Sequence, residues 1–161
     1  MFPAALLQLA KTVLDEARAQ GLHLVTAESC TGGLVAACLT EIPGSSDVVA
    51  RGFITYSNIA KAELLGVPMQ LIVAHGAVSR EVARAMAQGA LTHAPSGVAL
   101  AVTGIAGPGG GSAEKPVGLV YLAAARGDVI VDQECRFGDI GRHEVRMKSV
   151  EAALGLLSRV L

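Results

Sequence analysis

Residues 98–102 read Val-Ala-Leu-Ala-Val, an apolar run with no polar alternation. A strand of that kind has both faces out of water, which is the condition of a central strand in a largely parallel sheet covered by helices on either side. The flanking patterns agree. Leu6, Leu7, Leu9, Val13, Leu14 and Ala17 recur at helical spacing, and Gly21 follows as a stop. Residues 22–27 and 48–56 read as strands, with a helix over 32–39 between them that Pro43-Gly44 closes. Asn58 is expected to cap a short helix reaching Leu65, and Ser79 another from Arg80 to about Leu91. Residues 117–125 and 129–137 read as two strands whose short Arg126-Gly127-Asp128 link makes them an antiparallel hairpin. A final helix is expected from near Asp139 to Leu161. Strands thus alternate with helices except at the hairpin, which predicts an α/β chain with a mixed sheet and helices on both faces. No repeat or linker interrupts the 161 residues, so one domain over 1–161 is expected.

Composition narrows the function classes. Apolar residues make up 52% of the chain and charged ones 17%, and a domain of this length buries roughly 70% of its unfolded surface without a staple. The net charge of −1 speaks against a nucleic-acid partner, because duplex binders carry a basic excess. Cys30, Cys38 and Cys135 are odd in number and lack CxxC spacing, which argues against a disulfide framework or a zinc site and for reduced thiols. His23, His75, His93 and His143 show no metal-ligand spacing and read as structural or surface residues, so no metal is expected; His75 is read as a weak candidate for lining a site. The N-terminus lacks the pattern of a secretory leader, and no apolar run is long enough to span a bilayer, so a cytoplasmic protein without a membrane partner is expected.

In such sheets ligands bind beyond the carboxyl ends of the parallel strands. Ser29 follows the first strand, Tyr56 the second, and Thr103 with a glycine loop the third. Ser29 lies in Thr26-Ala27-Glu28-Ser29-Cys30-Thr31-Gly32-Gly33, at a strand-to-helix turn where backbone N–H groups can hold an oxyanion. Ser29 or Thr31 is equally suited to cap the following helix, and Glu28 reads as a solvated loop charge. Lys61 falls in the first turn of a helix among Ile59, Ala60, Ala62, Leu64 and Leu65. An ordinary lysine is neutral in about four molecules per ten thousand at pH 7; acting as a base would require burial to lower its pKa. A lysine that snorkels to the surface is the competing reading.

Gly104, Gly107, Gly109 and Gly110 belong to a glycine-rich stretch with neither the Gly-Lys-Ser/Thr ending of a P-loop nor the Gly-x-Gly-x-x-Gly phase of a dinucleotide fold. It can still wrap a phosphate or ribose through backbone N–H groups, or be a plain surface loop. Arg142 and Arg146 share one face of the last helix, where they either grip a phosphate, form a solvated face or pair with Glu144.

Taken together, Thr26-Ala27-Glu28-Ser29-Cys30-Thr31-Gly32-Gly33, Gly52-Phe53-Ile54-Thr55-Tyr56-Ser57-Asn58 with Lys61, Ala74-His75-Gly76-Ala77-Val78-Ser79, Thr103-Gly104-Ile105-Ala106-Gly107-Pro108 and Lys115-Pro116-Val117-Gly118 resemble the CinA C-terminal domain family over almost the whole chain. The resemblance implies a three-layer α/β/α sandwich with a mixed, mostly parallel five-stranded sheet containing one antiparallel strand. It also implies a cofactor-free amidohydrolase that converts nicotinamide mononucleotide to nicotinic acid mononucleotide and ammonia. A serine–lysine mechanism carries onto Ser29 and Lys61, with Tyr56 and Thr103 as further catalytic positions.

Substrate contacts are expected from Thr31, Gly32, Gly33, Gly104, Gly107, Gly109, Gly110 and Arg142. Longer members carry an additional N-terminal domain with another hydrolytic activity, which is not transferred to this chain. The family's arginine directly follows a Gly-Asp pair, whereas Ile140 and Gly141 intervene here, so Arg146 rivals Arg142 for the phosphate. The expected partners are a small nucleotide substrate and a second copy of the chain, as a homodimer. The alternatives are a non-catalytic nucleotide-binding or regulatory module and, lower, a hydrolase with Cys30 as nucleophile.

Overall fold

The computed structural model describes residues 2–94 and 97–161. In chain order the elements are α1 (Ala4–Ala19), β1 (His23–Glu28), α2 (Leu34–Thr40), a 3-10 turn (Ser45–Asp47), β2 (Val49–Ile54), α3 (Asn58–Leu65), α4 (Met69–His75), α5 (Arg80–Thr92), β3 (Gly97–Gly104), β4 (Leu119–Arg126), β5 (Val129–Arg136) and α6 (Arg142–Ser158). The five strands form one sheet in the order β2-β1-β3-β4-β5. β1 runs parallel to β2 and β3, and β4 runs antiparallel to both β3 and β5, so β4 alone opposes the other strands.

Several boundaries differ from the sequence expectation. Ser57, not Asn58, caps α3, its Oγ accepting from Ala60 N–H at 3.0 Å. α6 begins at Arg142, so Asp139 is outside it and Gly141 occupies the N-cap. α4 was not expected, because its seven residues are too few to display a helical period. The hairpin between β4 and β5 turns on Gly127-Asp128 alone, with Gly127 at φ +55°. A two-residue turn of that kind needs positive φ, which glycine adopts without a steric penalty.

Helices α1, α2 and α6 cover one face of the sheet, where Leu14, Val35, Leu39 and Leu154 pack on Leu24, Leu100, Val102 and Leu122. Each such leucine contributes roughly 1.5–3 kcal/mol by leaving water. Helices α3, α4 and α5 cover the other face. There the sheet offers Val25, Ala27, Ala99, Ala101, Ala123 and Ala125 to Met86, Ala87 and Ala90. The small alanines let α5 lie close, and Gly89 takes the approach further. A Cβ on Gly89 would stand 1.9 Å from the Leu65 carbonyl oxygen, so α3 and α5 touch through bare backbone.

From β1 the chain crosses through α2 on one face to reach β2 on one side. It then returns through α3, α4 and α5 on the other face to reach β3 on the other side. The direction of winding therefore reverses at β1, and the crevice of such a sheet opens at the carboxyl end of that strand.

Candidate active site

Parallel register brings three strand ends together. Glu28 lies opposite Ile54 of β2 and Val102 of β3. The ladder continues past the strand end: Ser29 N–H donates to the Val102 carbonyl at 2.9 Å, and Thr55 N–H to the Glu28 carbonyl at 2.8 Å. Ser29, Thr55 and Thr103 therefore line one edge, although they are far apart in sequence.

Lys61 comes to this edge from α3. Its Nζ stands 3.0 Å from Ser29 Oγ and donates to the Thr55 carbonyl at 2.8 Å. The side chain is only 1% exposed, so the snorkelling alternative does not describe it. Among the described residues no carboxylate lies within 4.0 Å of the amine. Burial pulls its pKa below the usual lysine value, because water no longer stabilises the charge. An amine in this state can accept a proton from an adjacent hydroxyl, and Ser29 is that neighbour.

Glu28 is not a solvated charge. It is 1% exposed, and its carboxylate accepts from the N–H groups of Gly33, Val35 and Ala36 at 3.0, 3.1 and 2.9 Å. Gly33 at the N-cap of α2 has no side chain to supply this, so the acid at the end of β1 takes the cap's place. A carboxyl residue just ahead of a helix that opens Gly-Gly, without Ser, Thr, Asp or Asn at the cap, was the signal available in the sequence.

Neither Ser29 nor Thr31 caps α2. Thr31 is buried with its Oγ1 unpartnered. Gly32 N–H donates to the Ser29 carbonyl and Gly33 N–H to Glu28, so the two glycines expected to bind substrate through N–H groups have already spent them. Thr103 is buried, and its Oγ1 donates to the Ala77 carbonyl at 2.8 Å. With that proton committed, the hydroxyl is left with acceptor capacity only.

Tyr56 does not join the pair. Its ring is 58% exposed, and its hydroxyl accepts from Arg142 Nη2 at 2.8 Å. Arg142 also donates to the Gly107 carbonyl at 2.9 Å, which ties the second strand's end to the glycine loop. It has no carboxylate partner among the described residues, so pairing with Glu144 is not what holds it. Gly104 ends β3 pressed against β4, since a Cβ there would lie 2.6 Å from Val120 Cγ2. Gly109 and Gly110 stand on the exposed part of the loop.

The loop's far end is held by Lys115, to which the sequence motif gave no role. Its Nζ donates to the carbonyls of His75 and Val78 across Gly76, where a Cβ would lie 2.7 Å from that nitrogen. His75 itself is partly exposed, with its Nδ1 3.7 Å from the Glu81 carboxylate. Cys30 is buried, and its thiol is pushed up to about 12, chiefly by burial. A thiol held that high stays protonated at neutral pH, which speaks against Cys30 as the nucleophile. Among the described residues no group of histidines, cysteines and acids is arranged to hold a metal.

The fold and this edge define a class: a doubly covered α/β domain with a buried serine–lysine pair at the switch point of its sheet. The sequence model of the CinA C-terminal domain matches residues 6–161. The chain belongs to the CinA C-terminal domain family. It is 48% identical over 159 residues to nicotinamide-nucleotide amidohydrolase PncC of Escherichia coli, covering 98% of this chain and 95% of that one. It is 50% identical over 153 residues to a CinA-like protein of Syntrophobacter fumaroxidans, covering 95% of this chain and 36% of the relative. The chain thus spans about a third of the length of such longer curated relatives. Among solved structures, that of competence/damage inducible protein CihA from Agrobacterium tumefaciens superposes with a TM-score of 0.97 at 53% identity, covering 99% of this chain and 98% of that one.

Proposed function

We propose that this chain is a nicotinamide-nucleotide amidohydrolase, releasing ammonia from nicotinamide mononucleotide by attack of Ser29 with Lys61 as base. The observation that carries the mechanism is the 3.0 Å approach of a buried, carboxylate-free amine to the serine hydroxyl. The full-length similarity to the Escherichia coli enzyme supports the substrate.

In this mechanism neutral Lys61 takes the Ser29 proton as Oγ bonds to the carboxamide carbon, and the carbonyl π pair moves to oxygen. The amine then returns that proton to nitrogen as the C–N bond breaks and ammonia leaves. Water repeats the sequence on the ester and restores Ser29. The cationic pyridinium withdraws electrons and makes the carbonyl easier to attack. Thr103 accepts from the carboxamide N–H, a role open to a hydroxyl whose own proton is committed. Tyr56 steadies Arg142, whose guanidinium is free of carboxylates and suited to the substrate phosphate. Gly107, Gly109 and Gly110 let the nucleotide lie close to the loop backbone. Residues 1–161 act as one domain in this reading, with no cofactor.

A homodimer and a cytoplasmic location belong to the same reading. Ile54, Tyr56 and Ile59 are exposed along the edge strand β2 and the start of α3, which supports a second copy there. No helix of the described residues is long and apolar enough to cross a membrane.

The test is ammonia release from nicotinamide mononucleotide by the purified chain. Ser29→Ala and Lys61→Ala are each expected to lower kcat by ~10³-fold or more, and the double variant by little further, as groups acting as a unit do. Ligand-induced thermal stabilisation without ammonia release would instead assign the chain to the binding modules.

A further inference from the structure

Arg146 reaches the site without touching the serine or the lysine. From the second turn of α6 its Nε donates to the Cys30 carbonyl at 3.1 Å and its Nη2 to the Thr31 carbonyl at 2.9 Å. Gly32, at φ +59°, completes the turn, and a Cβ there would lie 3.6 Å from the same Nη2. The guanidinium fork is therefore committed to the two peptides that follow the nucleophile. Arg142, four residues earlier, holds only one carbonyl and a phenol at the exposed mouth. The two arginines that the sequence left as rivals for one phosphate have different work.

In a planar trans peptide the C=O of one residue and the N–H of the next point in opposite directions. Holding the Cys30 carbonyl toward α6 therefore turns the Thr31 N–H away from α6. The Ser29 carbonyl is likewise fixed by Gly32 N–H, which orients the Cys30 N–H.

The other N–H groups of this stretch are spent. Ser29 gives its own to Val102, Gly32 to Ser29 and Leu34 to Thr31, while those of Gly33, Val35 and Ala36 go to Glu28. The Cys30 N–H has no acceptor in another residue among the described residues. The Thr31 N–H has no acceptor among the described residues. Buried amides are almost always paired, so an unpaired one beside a nucleophile is a donor waiting for charge.

We propose that Arg146 is a positioning residue of the reaction: by holding the Cys30 and Thr31 carbonyls it presents the N–H groups of that turn to the oxyanion formed when Ser29 attacks, and it does not bind the substrate phosphate. The inference rests on the amidase reading and deepens it.

The experiment compares wild type, Arg146→Met and Arg146→Lys for ammonia release from nicotinamide mononucleotide and from its thioamide analogue, thionicotinamide mononucleotide. Sulfur is a poor hydrogen-bond acceptor, so a lost oxyanion donor matters less for the thioamide. Arg146→Met is expected to lower kcat on the amide on the order of 10²-fold with KM within about threefold, and to lower kcat on the thioamide by only about tenfold. Arg146→Lys carries the measurement if the Met variant does not fold; its single ammonium does not reproduce the fork, so the same asymmetry is expected. A raised KM with kcat retained would return Arg146 to the phosphate and overturn the proposal. Equal losses on both substrates would reduce Arg146 to a structural residue and overturn it too. Wild type that releases no ammonia from either substrate would instead refute the amidase reading on which this rests.

Discussion

Glu28 and Ser29 are chain neighbours whose side chains leave β1 on opposite faces of the sheet. The Glu28 carboxylate turns to the N-terminus of α2, and the Ser29 hydroxyl turns to Lys61 of α3. One peptide link thus joins the anchor of one helical layer to the reactive group facing the other.

Removing that carboxylate should be felt on both faces. Glu28→Ala leaves three N–H groups at the start of α2 without their acceptor and empties a buried site. A loss of about 3 kcal/mol is expected, read as a fall in the urea midpoint. Turnover should fall with it at temperatures where the variant is still folded. Unchanged stability would mean that water replaces the carboxylate.

Lys61 sets the pH dependence. Its folded pKa lies below the usual lysine value of 10.5, so kcat/KM is expected to rise with pH along a limb centred below 10.5. Lys61→Ala should abolish that limb along with most of the activity. The same shift bears on stability. Between the folded and unfolded pKa values the unfolded chain binds more protons, so raising the pH through that window stabilises the fold. Lys61→Met is therefore expected to be more resistant to urea than wild type at neutral pH, with the advantage shrinking as pH approaches 10.5. Parallel denaturation curves at all pH values would contradict a depressed pKa.

Arg142 should govern affinity rather than chemistry. Arg142→Met is expected to raise KM for nicotinamide mononucleotide about tenfold, with kcat within about twofold. Slow turnover of free nicotinamide, which has no phosphate, should be unaffected by the change. Steady-state kinetics on both compounds separate the two effects.

The Cys30 thiol, held up at about 12 chiefly by burial, should resist alkylation. Treatment of the native protein with iodoacetamide at pH 8 is expected to leave ammonia release in place, while the urea-unfolded chain labels readily. Rapid inactivation of the native protein would return Cys30 to consideration as the nucleophile.

Much of the architecture could be read along the chain. The apolar 98–102 run announced a central strand, and β3 is the middle strand of the five. The Arg126-Gly127-Asp128 link announced the hairpin. Caps were less legible: Ser57 displaced Asn58 by one residue, which no local pattern distinguishes because both can accept from the helix start. Glu28 was misread because a charge at a strand end is ordinarily solvated; only the approach of α2 makes it a buried cap. Tyr56, read as following the second strand, turns its side chain outward to Arg142, a contact no local pattern announces.

The amino-acid order by itself determined the five strands and most of the helices, that both sheet faces would be covered, and that Ser29, Tyr56 and Thr103 would each end or follow a strand. These are local matters of periodicity, turn chemistry and backbone freedom. The tertiary structure alone decided that Lys61, 32 residues from Ser29, comes within 3.0 Å of it, and that Arg146, more than a hundred residues on, holds the turn behind it. Those meetings follow from the parallel register of β2, β1 and β3 and from the reversal of winding at β1. Side chains meet there because long-range packing brings them together, and no local stretch of sequence encodes that approach.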